Sequence, residues 1–129
     1  MSPASAGAHD ERGVVVLAVR SLSVTFRSLA GPVEALRSVT LHVRTGEKIA
    51  LVGESGSGKS TIARVVLGLL QEERDVAVSG SVRLGSRDIL GDQSFILEAR
   101  GDRVSMIFQD AASALNPTFT IGDQFKEVL

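Results

Sequence analysis

The chain has no cysteine, no tryptophan and no tyrosine. Without thiols it can hold neither a disulfide framework nor a thiolate metal site, and a reducing compartment suits it. Aromatic content is 4%, all of it phenylalanine. Neither charge sign is in excess: the formal net charge is -1, which gives no argument for nucleic acid or for an anionic membrane surface. No apolar run approaches the roughly 18–20 residues of a spanning helix, so any membrane role must come through a partner. Residues 14–19 come nearest to the hydrophobic part of a signal peptide. Asp10 and Glu11 precede them, no basic segment does, and Arg20 cuts the run short, so they read as a strand. What remains is an ordinary globular balance, 43% hydrophobic and 22% charged, in 129 residues. That length suits one domain with a core and not two.

Against this plain background one local pattern stands out, Gly53-Glu54-Ser55-Gly56-Ser57-Gly58-Lys59-Ser60-Thr61. It fits G-x-x-x-x-G-K-[ST], the phosphate-binding P-loop. Its context fits too, with an apolar stretch at residues 48–52 before it and an apolar helical pattern at residues 62–70 after it. Residues 1–13 are small and polar and are expected to be disordered. Residues 14–19 and 22–26 read as a strand pair or one bent strand, Gly31-Pro32 as a turn, and residues 35–43 as a half-exposed strand. A turn at residues 45–47 leads into the strand 48–52. A helix is predicted from about Gly58 to Leu70, then a charged loop at 71–75 and a strand at 80–84. A short helix follows at 94–100 with Ser94 as N-cap, then a strand at 104–108, a break at Asn116-Pro117 and a last helix over 123–129. This order indicates an α/β domain with an antiparallel β part.

The chemistry of the loop follows from its residue types. A triphosphate presents several negative charges on tetrahedral groups. Gly53, Gly56 and Gly58 let the backbone curl so that successive N–H groups point inward. A helix starting near Gly58 adds the positive end of its dipole. Lys59 supplies a point charge near the β- and γ-phosphates, the Ser60 hydroxyl can ligate Mg²⁺, and Thr61 is placed for the α-phosphate. Ser55 and Ser57 act more through backbone N–H groups than through their hydroxyls.

A P-loop alone does not choose among kinases, GTPases, helicases and transport ATPases. A second segment, Val104-Ser105-Met106-Ile107-Phe108-Gln109-Asp110, is an apolar strand pattern ending in glutamine. It resembles the Q-loop of ATP-binding-cassette (ABC) ATPases. With Ser113-Ala114-Leu115-Asn116-Pro117 and Thr120-Ile121-Gly122-Asp123-Gln124, it is similar to the ATPases of dipeptide, oligopeptide and nickel importers from about Val14 to Leu129. The resemblance implies a P-loop NTPase core with an antiparallel β subdomain, and residues 14–129 as a partial nucleotide-binding domain. It implies ATP and Mg²⁺ as cofactors, with Gln109 touching Mg²⁺ or the attacking water and its loop facing the transmembrane subunit. It also implies an aromatic ring that stacks on adenine. Phe26 falls at that place, and stacking and a core role remain open for it. Permease subunits and a second ATPase subunit are the implied partners, and the cytoplasmic face of the membrane is the implied location.

Two departures stand beside the resemblance. Ala111 replaces the proline these importers usually carry after Gln-Asp. More severely, the signature loop, the Walker B carboxylates and the switch histidine that follow the Q-loop in the family are absent from the 129 residues. His9 and His42 lie upstream and match neither, and Asp110, Glu54, Asp88, Asp92 and Glu98 do not replace the missing base. Two readings follow. One is the N-terminal half of an importer ATPase for peptides or related solutes, with little or no turnover alone. The other is a short non-hydrolysing nucleotide-binding or interaction module. In the first, residues 48–52 and 104–108 lack their central-strand neighbours and are expected to be unpaired, apolar and prone to aggregate.

Overall fold

The computed structural model describes residues 13–110 and 114–128. The irregular segment expected at 1–13 lies outside them except for Gly13, and so do His9 and Ala111. The fold is built on one long hairpin, β1 (Val15–Ser28) and β2 (Gly31–Arg44), paired antiparallel from Val15 against Arg44 to Ser28 against Gly31. A third strand, β3 (Val76–Leu84), pairs antiparallel with the other edge of β1, and a short β4 (Arg87–Asp88) pairs with β3. The sheet order is β2-β1-β3-β4. Three helices complete the described residues: α1 (Lys59–Val66), α2 (Gln93–Ala99) and α3 (Ile121–Val128).

β1 reads as one bent strand because it carries an extra residue. Its buried apolar positions are Val19, Leu22 and Val24, and the first step is three residues instead of two. The register shifts between Val19 and Leu22, and Ser21 takes a left-handed φ of 48°. This is the bulge that brings Leu22 back to the core face. The Ser21 N–H donates to Thr40 Oγ1 of β2 at 2.9 Å, and Ser38 of β2, at φ 49°, donates its N–H to Ser23 Oγ of β1 at 2.9 Å. Each strand thus supplies a hydroxyl for the N–H that the other's distortion frees. On the far side Gly80 of β3, at φ +109°, lies where a Cβ would come within 2.6 Å of Ser21 O and 2.8 Å of Arg20 O. Only glycine lets β3 close on the bulge.

One apolar cluster joins this sheet to the helices. Val19, Leu22, Val24, Leu36 and Val82 pack with Val65, Val66 and Leu70 from α1 and the turn after it, and with Ile89, Phe95, Ile96 and Ala99 around α2. The helix predicted to reach Leu70 ends at Val66, because Gly68 turns the chain at φ +70° with Ile96 pressed against it. The turn still delivers Leu67 and Leu70 to buried positions. Ser94 is not the cap of α2. Asp92 is, accepting from the Phe95 N–H at 3.0 Å and from Ser94 Oγ at 2.8 Å. Arg87 hydrogen-bonds the same carboxylate and lies 4.2 Å from the Phe95 ring centre. The Arg87 hydrogen bond, then the Phe95 N–H and Ser94, lower the Asp92 carboxyl from its usual 3.8 to about 2. Its contribution to the folded state is therefore complete above the usual value and is lost as pH falls through about 2. His42 is an exposed residue of β2, as the sequence pattern suggested.

The strands predicted at 48–52 and 104–108 do not form. Residues 48–52 have no ladder partner, and of 104–108 only Val104 makes an isolated bridge, to Arg100. Their apolar, β-branched pattern is that of a strand, but a strand exists only where a neighbour accepts its hydrogen bonds, and among the described residues none lies alongside. Val52 is 94% exposed and Ile107 96%. Between the two segments runs a groove of about 250 Å³ bounded by Ile49, Leu51, Val104 and Met106, with Ile62 and Val66 of α1 among the residues lining it. α3 buries none of its residues. Among the described residues no helix is long and apolar enough to cross a membrane.

Two outcomes follow. Gly80→Ala should lower the unfolding free energy by about 2–4 kcal/mol in urea titration, from a left-handed φ and a backbone clash together. The unaccompanied chain should form concentration-dependent aggregates by light scattering, and Val52→Lys with Ile107→Lys should reduce them.

Candidate functional site

The loop before α1 is closed by its own backbone. Gly56 and Gly58 adopt φ of 80° and 89°, and the Ser57 N–H donates to Glu54 O at 3.2 Å. Gly58 is the N-cap of α1, and no side chain caps that end. The first intrahelical bond runs from the Ile62 N–H to Gly58 O at 3.1 Å. The N–H groups of the first turn therefore have no acceptor within the helix and are available to an anion. Gly58 also fixes the loop to the sheet. A Cβ there would lie 2.6 Å from Leu36 Cδ2 and 2.7 Å from Ala35 O, so the loop's end rests directly on β2. At Gly53 a Cβ would lie 2.6 Å from Ser57 Oγ, so the loop's two ends are also in close approach.

Lys59 completes this closure. Its Nζ donates to Gly53 O at 2.7 Å, to Glu54 O at 2.6 Å and to Ser57 Oγ at 3.0 Å. An ammonium has three protons, and all three have acceptors. The lysine spans the loop from inside and places its charge at the centre of the curl.

The loop opens into a cavity of about 320 Å³, lined by residues 55–61, by Ala35 and by Gln109. The structure thus brings together Ser55, Gly56, Ser57, Gly58, Lys59, Ser60, Thr61 and Gln109, which sequence reasoning had assigned to one site from two separate segments. Gly53 is not a lining residue but holds Lys59 through its carbonyl. Phe26 does not join them. It is a half-buried residue of β1, paired with Val33 and Val76 and packed on the core cluster, and it is not among the cavity's lining residues. Ala35 had no signal in the sequence, because its place depends on β2 passing under the loop.

The cavity suits a polyanion with a hard cation. Its walls offer backbone N–H groups, one ammonium and the hydroxyls of Ser55, Ser57, Ser60 and Thr61. Ser60 and Gln109 provide a hydroxyl and an amide oxygen, the donor type Mg²⁺ prefers. No carboxylate lines the cavity, and among the described residues no cluster of three or more His, Cys, Asp or Glu could hold a metal ion. A cation here would take most of its ligands from the anion and from water, with Ser60 and Gln109 as the protein donors.

Gly58→Ala should cost about 2–4 kcal/mol of stability, read from the urea midpoint, since it combines a left-handed φ with contact against Leu36 and Ala35.

Comparison with known proteins identifies the family. A sequence model of the ABC transporter family matches residues 36–128. The chain is 45% identical over 115 residues to the oligopeptide transport ATP-binding protein OppD of Mycobacterium tuberculosis, covering 88% of this chain and 18% of that protein. It is 40% identical over 115 residues to the oligopeptide transport ATP-binding protein AppD of Bacillus subtilis, covering 88% of this chain and 35% of that protein. It is 41% identical over 116 residues to the dipeptide transport ATP-binding protein DppD of Bacillus subtilis, covering 88% and 34%. The chain therefore spans between about a fifth and about a third of the length of these relatives.

Proposed function

Because the chain belongs to the ABC transporter family, we propose that it carries the ATP-binding P-loop and coupling glutamine of an importer ATPase for peptides or related solutes. The observation that carries this reading is the meeting of Gln109 with the P-loop in one cavity. A P-loop by itself is shared by many enzymes, whereas a glutamine from a distant segment at its mouth is the arrangement the sequence resemblance implied. Residues 14–129 form part of a nucleotide-binding domain in this reading, and similarity to oligopeptide and dipeptide transport proteins supports peptides as the solutes.

The roles follow from position. The N–H groups of residues 56–61 and the N-terminus of α1 bind and orient the phosphates of ATP. Lys59 exchanges its contacts with Gly53 and Glu54 for phosphate oxygens. Ser60 and Gln109 would hold Mg²⁺, which supplies charge neutralisation when bound. Phe26 is proposed for the adenine only if its ring leaves the core. Permease subunits and a second ATPase subunit are the partners, reached from the cytoplasmic face of the membrane, and the exposed Gln109 segment is the contact toward the permease.

The same cavity also favours a second reading, a module that binds nucleotide without turnover. General-base catalysis needs a group within reach of the water proton, and among the described residues no carboxylate lines the cavity.

Calorimetric titration of the 129-residue chain with Mg·ATP tests both. Binding is expected, weakened about 10–100-fold in Lys59→Ala through loss of a charge-assisted contact. Phosphate release by the chain alone is expected at or near background. An unchanged affinity in Lys59→Ala would remove the site, and sustained release abolished by that variant would remove the expectation of little turnover.

A further inference from the structure

The geometry points to Arg100 as a positioning residue that ties the far end of the phosphate-binding helix to the segment carrying Gln109. This deepens the reading above, and it rests on that reading for its nucleotide measurement alone.

Arg100 is the C-cap of α2, and its side chain is half-buried. The guanidinium reaches the end of α1, with Nε donating to Leu67 O at 2.7 Å and Nη2 to Gly68 O at 3.0 Å. These carbonyls lie where a helix runs out of its own donors and where its dipole is negative. A planar fork satisfies two adjacent acceptors at once, which a lysine cannot do in the same geometry. The fit is tight, since a Cβ at Gly68 would lie 3.2 Å from Arg100 Nη2.

The backbone of Arg100 is held as firmly. Its N–H donates to Ile96 O at 3.1 Å, and it bridges to Val104. Gly101 donates to Val104 O at 2.9 Å, and Val104 donates to Ala99 O at 3.0 Å, closing a turn at the foot of the Gln109 segment. Beyond Val104 no ladder holds residues 105–108 among the described residues. The placement of Gln109 at the cavity therefore depends on where this turn is fixed. Arg100 fixes it to α1, a rigid rod of about 12 Å whose other end is the P-loop.

The test uses the full chain joined to a soluble carrier. Its lack of cysteine allows two spin labels to be introduced cleanly, at Arg64→Cys on α1 and Ile107→Cys on the segment. A narrow distance distribution is expected, at least twofold wider in Arg100→Met and intermediate in Arg100→Lys. A width unchanged by Arg100→Met, or a broad one from the start, overturns the proposal. If Arg100→Met does not fold by circular dichroism, the width in Arg100→Lys decides alone. The second readout is Mg·ATP affinity. Arg100→Met should weaken it about fivefold when Gln109 is present and by less than twofold in the Gln109→Ala background. Equal losses in both backgrounds mean that Arg100 serves the fold only and overturn the coupling. A chain whose label distances behave as expected but which binds no ATP rejects the nucleotide reading and leaves Arg100 as the tie between α1 and the turn.

Discussion

The backbone of β1 has both edges occupied, by β2 on one side and β3 on the other, and its bulge at Ser21 is where the three strands are fitted most closely. The bulge lets Val19, Leu22 and Val24 share one face, and that face is what α1 and α2 are packed on. Glycine at position 80 lets β3 come near enough to complete the sheet, and glycine at position 58 lets the loop before α1 rest on β2. The anion-binding curl is therefore seated on a sheet whose own geometry is set one strand away. The site is supported by the sheet beneath it, through the contact of Gly58 with Leu36 and Ala35 and through hydrogen bonds and close contacts farther off.

Legibility in the sequence followed the distance over which each feature is decided. The P-loop is local: its pattern lies in the consecutive residues from Gly53 to Thr61. Apolar alternation locates β1 and β2, and its interruption at residues 20–21 leaves a strand pair or one bent strand open; that it is a bulge at Ser21 is decided by the partner strand. Ser94 looked like a cap, while Asp92 took the role because Arg87, brought over by β4, stabilises its carboxylate. α1 ends short of Leu70 because Gly68 is a stop signal that the apolar periodicity of Leu67, Leu69 and Leu70 masks in the sequence. Ala35 and Arg100 were invisible because their roles arise from segments that meet only in three dimensions.

Residues 48–52 and 104–108 show the converse. Their pattern states a strand, and their bare hydrogen-bonding groups show that pattern alone does not make one. The first leads into the P-loop and the second into Gln109. The expectation that they would lie unpaired and apolar agrees with their exposure. The correction is to their secondary structure, which is extended chain without a ladder.

The three acceptors of Lys59 carry a consequence for selectivity. An ammonium already surrounded by two carbonyls and a hydroxyl is not a vacant charge waiting for any anion. An incoming group must offer more than those contacts are worth, and neutral-acceptor bonds to a charged donor are worth about 1.5–3 kcal/mol each. In the proposed reading a chain of phosphates does so, because it would replace the contacts of Lys59 and fill the N–H curl in the same event. The lysine is thus already satisfied in this structure, and in the proposed reading its ligand must reward several parts of the loop together.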